Sequence, residues 1–400
     1  MALTRKGAAR RRERIEALER PDYGWIWKPF LTLLVIALLI AVALGIWWSR
    51  TPATFDVEQA TAVQRTDTSP AARGTVTTAA LMTTLDTLLD KPGGYLRNDI
   101  APPGVWLDNM PSWELGVLNQ ARDLTRALPA MEEGHFALLD EVAERLTHDS
   151  SAWFNPSFED QLEESLVSLE GYLQALGSQN AGFAAGAGLA GWLDQVGQRL
   201  DGLGMRLSAS VGSRDRLREL GLDDAELPSR TPWYRVDNIF FEARGSGWAL
   251  IHFLEAIRRD QADVLEASGA LDDLALLVAE LERTQRRLWS PMILNGSGFG
   301  IFANHSLVMA NHIVRARDLT RQIAERVAEA EKTGAIGKAA GSEEASAPVE
   351  AGESAEAPSS EEAPSPPADD DAPNEPTDDP AADNDNEAES VEEDSAAQQP

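Results

Sequence analysis

Between Gly93 and Glu114 the chain packs Tyr95, Trp106 and Trp113 among Asn98, Asp99, Asp108 and Asn109, in a stretch stiffened by Pro102, Pro103 and Pro111. Aromatic faces beside amides and carboxylates are what a sugar or peptide site uses. The structural alternative is a loop that caps a bundle end, its tryptophans filling the gap and its Asn and Asp side chains meeting helix N-termini. A second stretch opens glycine-rich at Asn295 and then carries Asn304, His305, Asn311 and His312. On a helix Asn304, Val308 and Asn311 share a stripe, so two amides would point toward a largely apolar neighbourhood. Such amides need partners in the bundle or in a ligand. Glu242 and Arg244 supply a third polar block. The three blocks together form the candidate binding surface.

Paired carboxylates would support a different chemistry. Asp99, Asp108 and Glu242 are the acids that a cell-wall or lipid-modifying hydrolase could pair, and that reading needs two of them facing one cleft. The five histidines offer little to a metal. His305 and His312 lie seven apart, about 10 Å of helical rise, which is too far to share one ion. His252 and Glu255 fall one turn apart, but no second Glu/His pair completes a di-metal bundle pattern. The segment Gly186-Ala-Gly-Leu-Ala-Gly191 matches the dinucleotide fingerprint. No strand precedes it, so close helix packing through small residues is the plainer reading. With no cysteine in the chain, thiolate metal sites, cysteine nucleophiles and disulfides drop out. No catalytic residue, metal or cofactor is assigned.

The elements that position these residues are written in charge and hydropathy. A net charge of −30 argues against a nucleic-acid partner, which needs clustered Lys and Arg. That charge is uneven: residues 1–28 hold eight basic and four acidic side chains, whereas 339–400 hold twenty acidic and no basic ones. Between the ends, residues 29–49 carry no charge. At about 1.5 Å per residue they match the roughly 30 Å hydrocarbon core of a bilayer. Trp25 and Trp27 precede this run and Trp47 and Trp48 close it, which suits both interfaces. The basic cluster predicts a cytoplasmic N-terminus and an exported remainder. A cleavable signal peptide is the rival, though its apolar region would be shorter and small residues would mark the cut.

Beyond the anchor, residues 50–74 read as a polar stalk without helical period. Residues 334–400 read as a disordered acidic tail that cannot bury enough apolar area to order itself. The folded part is 75–333, and its pattern is all-α with six to eight helices. Phe158, Leu162, Leu166, Leu169, Leu173 and Leu176 recur at spacings of four and three, as do Leu189, Leu193, Val196, Leu200, Leu203 and Leu207. Leu271, Leu274, Val278, Leu281 and Leu288 continue the rhythm. Asn109 is the expected N-cap of one helix, with Pro111 in its first turn, and Asn155-Pro-Ser157 opens another. Leu319, Ile323, Val327 and Ala330 form a heptad-like run that could support self-association. The hexapeptide Ala121-Arg-Asp-Leu-Thr-Arg126 recurs as Ala316–Arg321 with unmatched flanks, and reads as coincidence.

Three longer blocks carry a family resemblance: Gly93-Gly-Tyr-Leu through Leu107-Asp-Asn-Met-Pro111, Glu242-Ala-Arg-Gly245, and Asn295-Gly-Ser297 with Ala303-Asn-His-Ser-Leu-Val-Met-Ala-Asn311. In these the chain resembles a family of single-pass inner-membrane proteins of Gram-negative bacteria whose domain has no assigned function. The resemblance runs from the anchor to about Arg321 and implies an inner-membrane location with a periplasmic body. It supplies no activity, cofactor or catalytic residues. The resulting expectation is a membrane-anchored helical binding or scaffold module, its partner an envelope protein or a cell-wall fragment. A hydrolase and a self-associating spacer are the alternatives.

Overall fold

The computed structural model describes residues 23–336 apart from 66–70, 135, 179–181, 210–230, 233–234, 288–292 and 294–303, together with 11–12 and 14–15. The described residues form eleven α-helices and no strand. In order they are α1 Tyr23–Trp48, α2 Val57–Gln64, α3 Thr75–Asp90, α4 Asn109–Met131, α5 Ala137–Leu146 and α6 Phe158–Ser178, then α7 Leu189–Ala209, α8 Val236–Asp260, α9 Ala262–Ala267, α10 Leu271–Thr284 and α11 His305–Lys332. Nine of these lie within 75–333, where six to eight were expected. The excess comes from short elements such as α9, of 6 residues, which is too brief to show a period. Most of the acidic tail and of the basic N-terminal segment lies outside the described residues, as do Asn295 and Leu288.

The helix α1 exposes its aliphatic side chains from Phe30 to Val42 and is long and apolar enough to cross a membrane. The stretch expected to be an irregular stalk folds onto the body instead. Asp56 accepts hydrogen bonds from the backbone N–H groups of Glu58 and Gln59 (2.9 and 3.0 Å) and so starts α2. That helix buries Val57, Ala60 and Thr61. Helix α3 begins at Gly74, which has no side chain to cap with. The cap comes from across the fold: Asp260, at the end of α8, accepts from Thr77 N–H and Thr77 Oγ1, both at 2.7 Å.

Helices α4 and α8 are the axis of the bundle. They run parallel: Asp108 at the start of α4 meets Asn238 at the start of α8, and further along both helices Gly116 meets Ser246. A methyl group at Gly116 would sit 2.0 Å from the Glu242 carbonyl oxygen, and one at Gly245 would sit 2.0 Å from that of Trp113. Only glycine allows backbones this close. Trp113 and Trp248 fill the space beside the crossing, edge to face at 5.2 Å. Helix α7 packs antiparallel to α11, and every member of its Leu189–Leu207 stripe is buried. The stripe of α6 is buried too, with Leu166 half-covered. On α10, Leu274, Val278 and Leu281 are buried while Leu271 is exposed.

The Ile323, Val327 and Ala330 face of α11 is buried in this core rather than free for a second copy. The repeated hexapeptide is used in two ways. Asp123 is fully buried against Gln195 and Arg199 of α7, whereas its counterpart Asp318 is paired with its neighbour Arg317 at the surface.

Candidate functional site

The N-terminal ends of α4 and α8 share one end of the bundle, and the 93–108 loop that precedes α4 closes it. This loop is fixed from beneath. The Lys91 ammonium lies 2.5 Å from Glu114 Oε1, with both side chains essentially inaccessible to solvent. Glu114 also accepts from Leu96 N–H at 2.9 Å, and Lys91 donates to the Gly94 carbonyl. Burial pushes the Glu114 carboxyl above its ordinary range, and the Lys91 charge opposes that rise.

Of the loop's three aromatic rings, two belong to the core. Tyr95 is buried with its hydroxyl donating to the Ser150 carbonyl at 3.0 Å, and Trp113 is buried against Trp248. Neither can stack on a sugar. Polar neighbours in sequence make them look like a platform, but the rings themselves are packed inside. Asn98 is also occupied, donating to the Ala152 carbonyl at 2.9 Å and to Glu159. The ring left outside is Trp106, at 58% exposure. Asp108, not Asn109, stands at the N-cap position of α4, and Asn109 is the first helical residue. Pro111 does fall in the first turn.

The acids named for a hydrolase are dispersed among different partners. Glu242 is held by both guanidinium nitrogens of Arg206, each at 2.7 Å. Asp99 lies against Gly104, where a Cβ would clash with its carboxylate, and partial burial together with Glu159 pushes its carboxyl up. Asp108 faces the start of α8. There the Asn238 amide, oriented to donate, reaches Asp108 Oδ2 and Asp237 Oδ1 at 3.2 Å each. Burial, then the charge of Asp108, raises the Asp237 carboxyl. This pairing of Asp108 with Asp237 had no signal in the sequence, because the two stand more than a hundred residues apart.

Two of the remaining candidates, Arg244 and Asn304, serve helix ends. Arg244 is buried and donates to the carbonyls of Gln285 and Arg286 (2.9 and 3.1 Å), a cation placed at the C-terminus of α10. Asn304 is buried as the N-cap of α11, accepting from Leu307 N–H at 2.9 Å. The stripe expected to face inward does not follow it. Val308 is 57% exposed and Asn311 is exposed, so the two amides diverge. The His305 ring lies 6.5 Å from that of Phe240. His312, two turns on, pairs with buried Glu280 at 2.7 Å and belongs to a separate charged cluster with Arg283. Asn295 lies outside the described residues.

The Gly186–Gly191 segment is a tight turn opening α7. Gly186 and Gly188 both have positive φ (79° and 68°), and a Cβ on Gly188 would meet the Ala130 backbone at 2.8 Å. Close packing is its role here.

Two features escaped the sequence altogether. Trp248 Nε1 donates to the Ala53 carbonyl at 3.2 Å, and Phe55 N–H donates to His252 Nε2 at 3.0 Å. The Phe55 ring stacks on His252 at 3.8 Å. Burial holds the His252 pKa down at about 4, with the Trp248 backbone opposing, so this imidazole is a neutral acceptor. The other is an open cleft of about 370 Å³ at the far end of α8, lined by Arg73, Arg259, Asp260 and Asp263. Its charges are consumed internally: Arg73 binds Asp263 at 2.6 and 2.9 Å, and Arg259 binds Glu58 at 2.9 Å.

A family model described as an uncharacterized protein conserved in bacteria, DUF2333, matches residues 21–325. The chain belongs to this family. Comparison with curated proteins and with solved structures gave no match. The DUF2333 match takes in α1, the loop, both axial helices and most of α11, and it stops short of the acidic tail. Every described residue discussed above except the end of α11 therefore lies within the family region.

Proposed function

We propose that this DUF2333 protein is a membrane-anchored binding or scaffold module of the bacterial cell envelope, with a cytoplasmic N-terminus and the helical body on the outer side of the inner membrane. The observation that carries the reading is the mount between α1 and the body. Trp48, the last residue of α1, packs on Gly93, where an added Cβ would come within 2.7 Å of the indole. Ala53 and Phe55 are then gripped by Trp248 and His252, and α2 docks onto α3 and α8. A body mounted this way holds one face toward the membrane and one set of sides toward neighbours, as a scaffold must. A flexible tether would hold neither.

Asp108 and Asn311 are exposed at the end nearest α1, and Glu266 is exposed at the opposite end. A photo-crosslinking side chain placed at each in the full-length chain, in cells, tests the reading. The expected result is a discrete adduct with an envelope component from Asp108 or Asn311 and none from Glu266. Equal labelling at all three positions, or none at any, would sink it. Alkaline phosphatase fused after Lys332 should be active, because the enzyme folds only outside the cytoplasm; an inactive fusion would reverse the orientation.

A further inference from the structure

The eight residues Ile100-Ala-Pro-Pro-Gly-Val-Trp-Leu107 contain no charge and are bracketed by Asp99 and Asp108. Ile100, Val105 and Trp106 are 61%, 51% and 58% exposed, three apolar side chains grouped on one short loop. Its place is fixed by α1. Gly45 is buried, and a Cβ there would touch Pro103 at 3.7 Å and Leu107 at 3.8 Å. The loop therefore packs on the last turns of the apolar helix.

Depth follows from length. The charge-free run from Pro29 to Ser49 spans about 31 Å as a helix, and the hydrocarbon core is roughly 30 Å thick. There is almost no slack. Gly45 lies four residues, or about 6 Å, below the outer end of that run. If the run fills the hydrocarbon, whatever packs on Gly45 is in the hydrocarbon as well. The loop is built for that environment. Pro102 and Pro103 bring no N–H, and Val105, Trp106 and Leu107 donate within the loop to Ala101, Pro103 and Gly104 (3.1, 3.0 and 2.9 Å). Three of the loop's six backbone N–H groups are thus satisfied within it, which lowers the cost of leaving water. Trp106 supplies the amphipathic ring that favours the interface.

A second apolar projection stands beside it. Trp153 and Phe154 are 57% and 72% exposed, their rings 5.6 Å apart. Their segment is tied to the base of the first loop through Asn98 to Ala152 and Arg97 to Ser150 (2.9 and 3.0 Å).

We infer that the Ile100–Leu107 loop is a membrane-inserted wedge, partnered by the outer leaflet around α1, with Trp153 and Phe154 resting at the same surface. The inference rests on the reading of α1 as a membrane anchor. The absence of cysteine makes a clean test available, since each introduced thiol takes a nitroxide label uniquely. Four single variants of the full chain, Leu38→Cys, Val63→Cys, Val105→Cys and Phe154→Cys, are labelled in lipid nanodiscs. Collision with oxygen, which partitions into lipid, is compared with collision with a water-soluble nickel chelate. Val63, 81% exposed on α2, is the aqueous reference. The expected result is an oxygen-dominated signal at Val105 resembling Leu38, and at Phe154 a chelate accessibility well below that at Val63. A chelate-dominated signal at Val105 with Leu38 still in lipid overturns the wedge alone. The same signal at Leu38 overturns the anchor. Aqueous behaviour at Phe154 removes the second projection.

Discussion

Breaking the Lys91–Glu114 pair tests whether the loop is held from beneath by a buried charge pair. Both side chains are sealed from solvent and 2.5 Å apart, so neither charge has water to fall back on. Removing one partner from a buried pair leaves the other uncompensated and costs about 3–5 kcal/mol. Lys91→Met should therefore lower the folding equilibrium constant by roughly two to three and a half orders of magnitude. Glu114→Leu should do likewise, and it also frees the Leu96 N–H. The double variant leaves two orphaned backbone groups, Leu96 N–H and the Gly94 carbonyl, at about 1–3 kcal/mol each, but no lone charge. It should be more stable than the sum of the single losses implies, by at least about 2 kcal/mol. Urea titration of the full chain in detergent micelles, followed by far-UV circular dichroism, reads all four corners of the cycle. Strict additivity, or single losses under about 1 kcal/mol, would refute the idea that the pair is buried and coupled.

Gly245→Ala should be among the most damaging single-methyl additions in the chain, because its Cβ falls 2.0 Å from the Trp113 carbonyl oxygen. A loss of about 3 kcal/mol or more is expected in the same titration, at or above the upper end of ordinary overpacking. His252 gives a pH signature. Unfolded, it takes its proton near 6.5, and folded near 4, so between these values the unfolded state holds more protons. Its stabilising contribution is complete above about 6.5 and falls as pH drops toward 4, by up to about 3 kcal/mol. The melting temperature of His252→Leu should depend less on pH across that window than the parent's, and parallel curves would discount the clamp.

The architecture was legible where burial follows period. The stripes of α6, α7 and α10 could be read because a helix packed on one side repeats its apolar residues every three or four positions. The apolar helix α1 was legible from length and charge alone. What could not be read is whatever depends on two distant segments meeting. Asp260 caps a helix that starts 185 residues before it, and Phe55 belongs with Trp248 and His252 rather than with its polar neighbours. The surroundings of the candidate residues were hidden for a related reason. Trp106 and Trp113 differ little in local composition, and only the tertiary fold decides that one is exposed and the other buried. Asn304 and Arg244 looked like ligand-binding groups because a buried polar side chain must bond to something. In each case that something is a helix terminus.

The grip on Ala53 and Phe55 also bears on how long the body stays attached. A protease takes its substrate as an extended strand with its backbone donors and acceptors free to pair with the enzyme. Here the Ala53 carbonyl and the Phe55 N–H are already spent on α8, and the Phe55 ring lies flat on His252. The peptide bonds that follow α1 are presented as part of a packed surface. Release of the domain from its helix would first require α8 to let go.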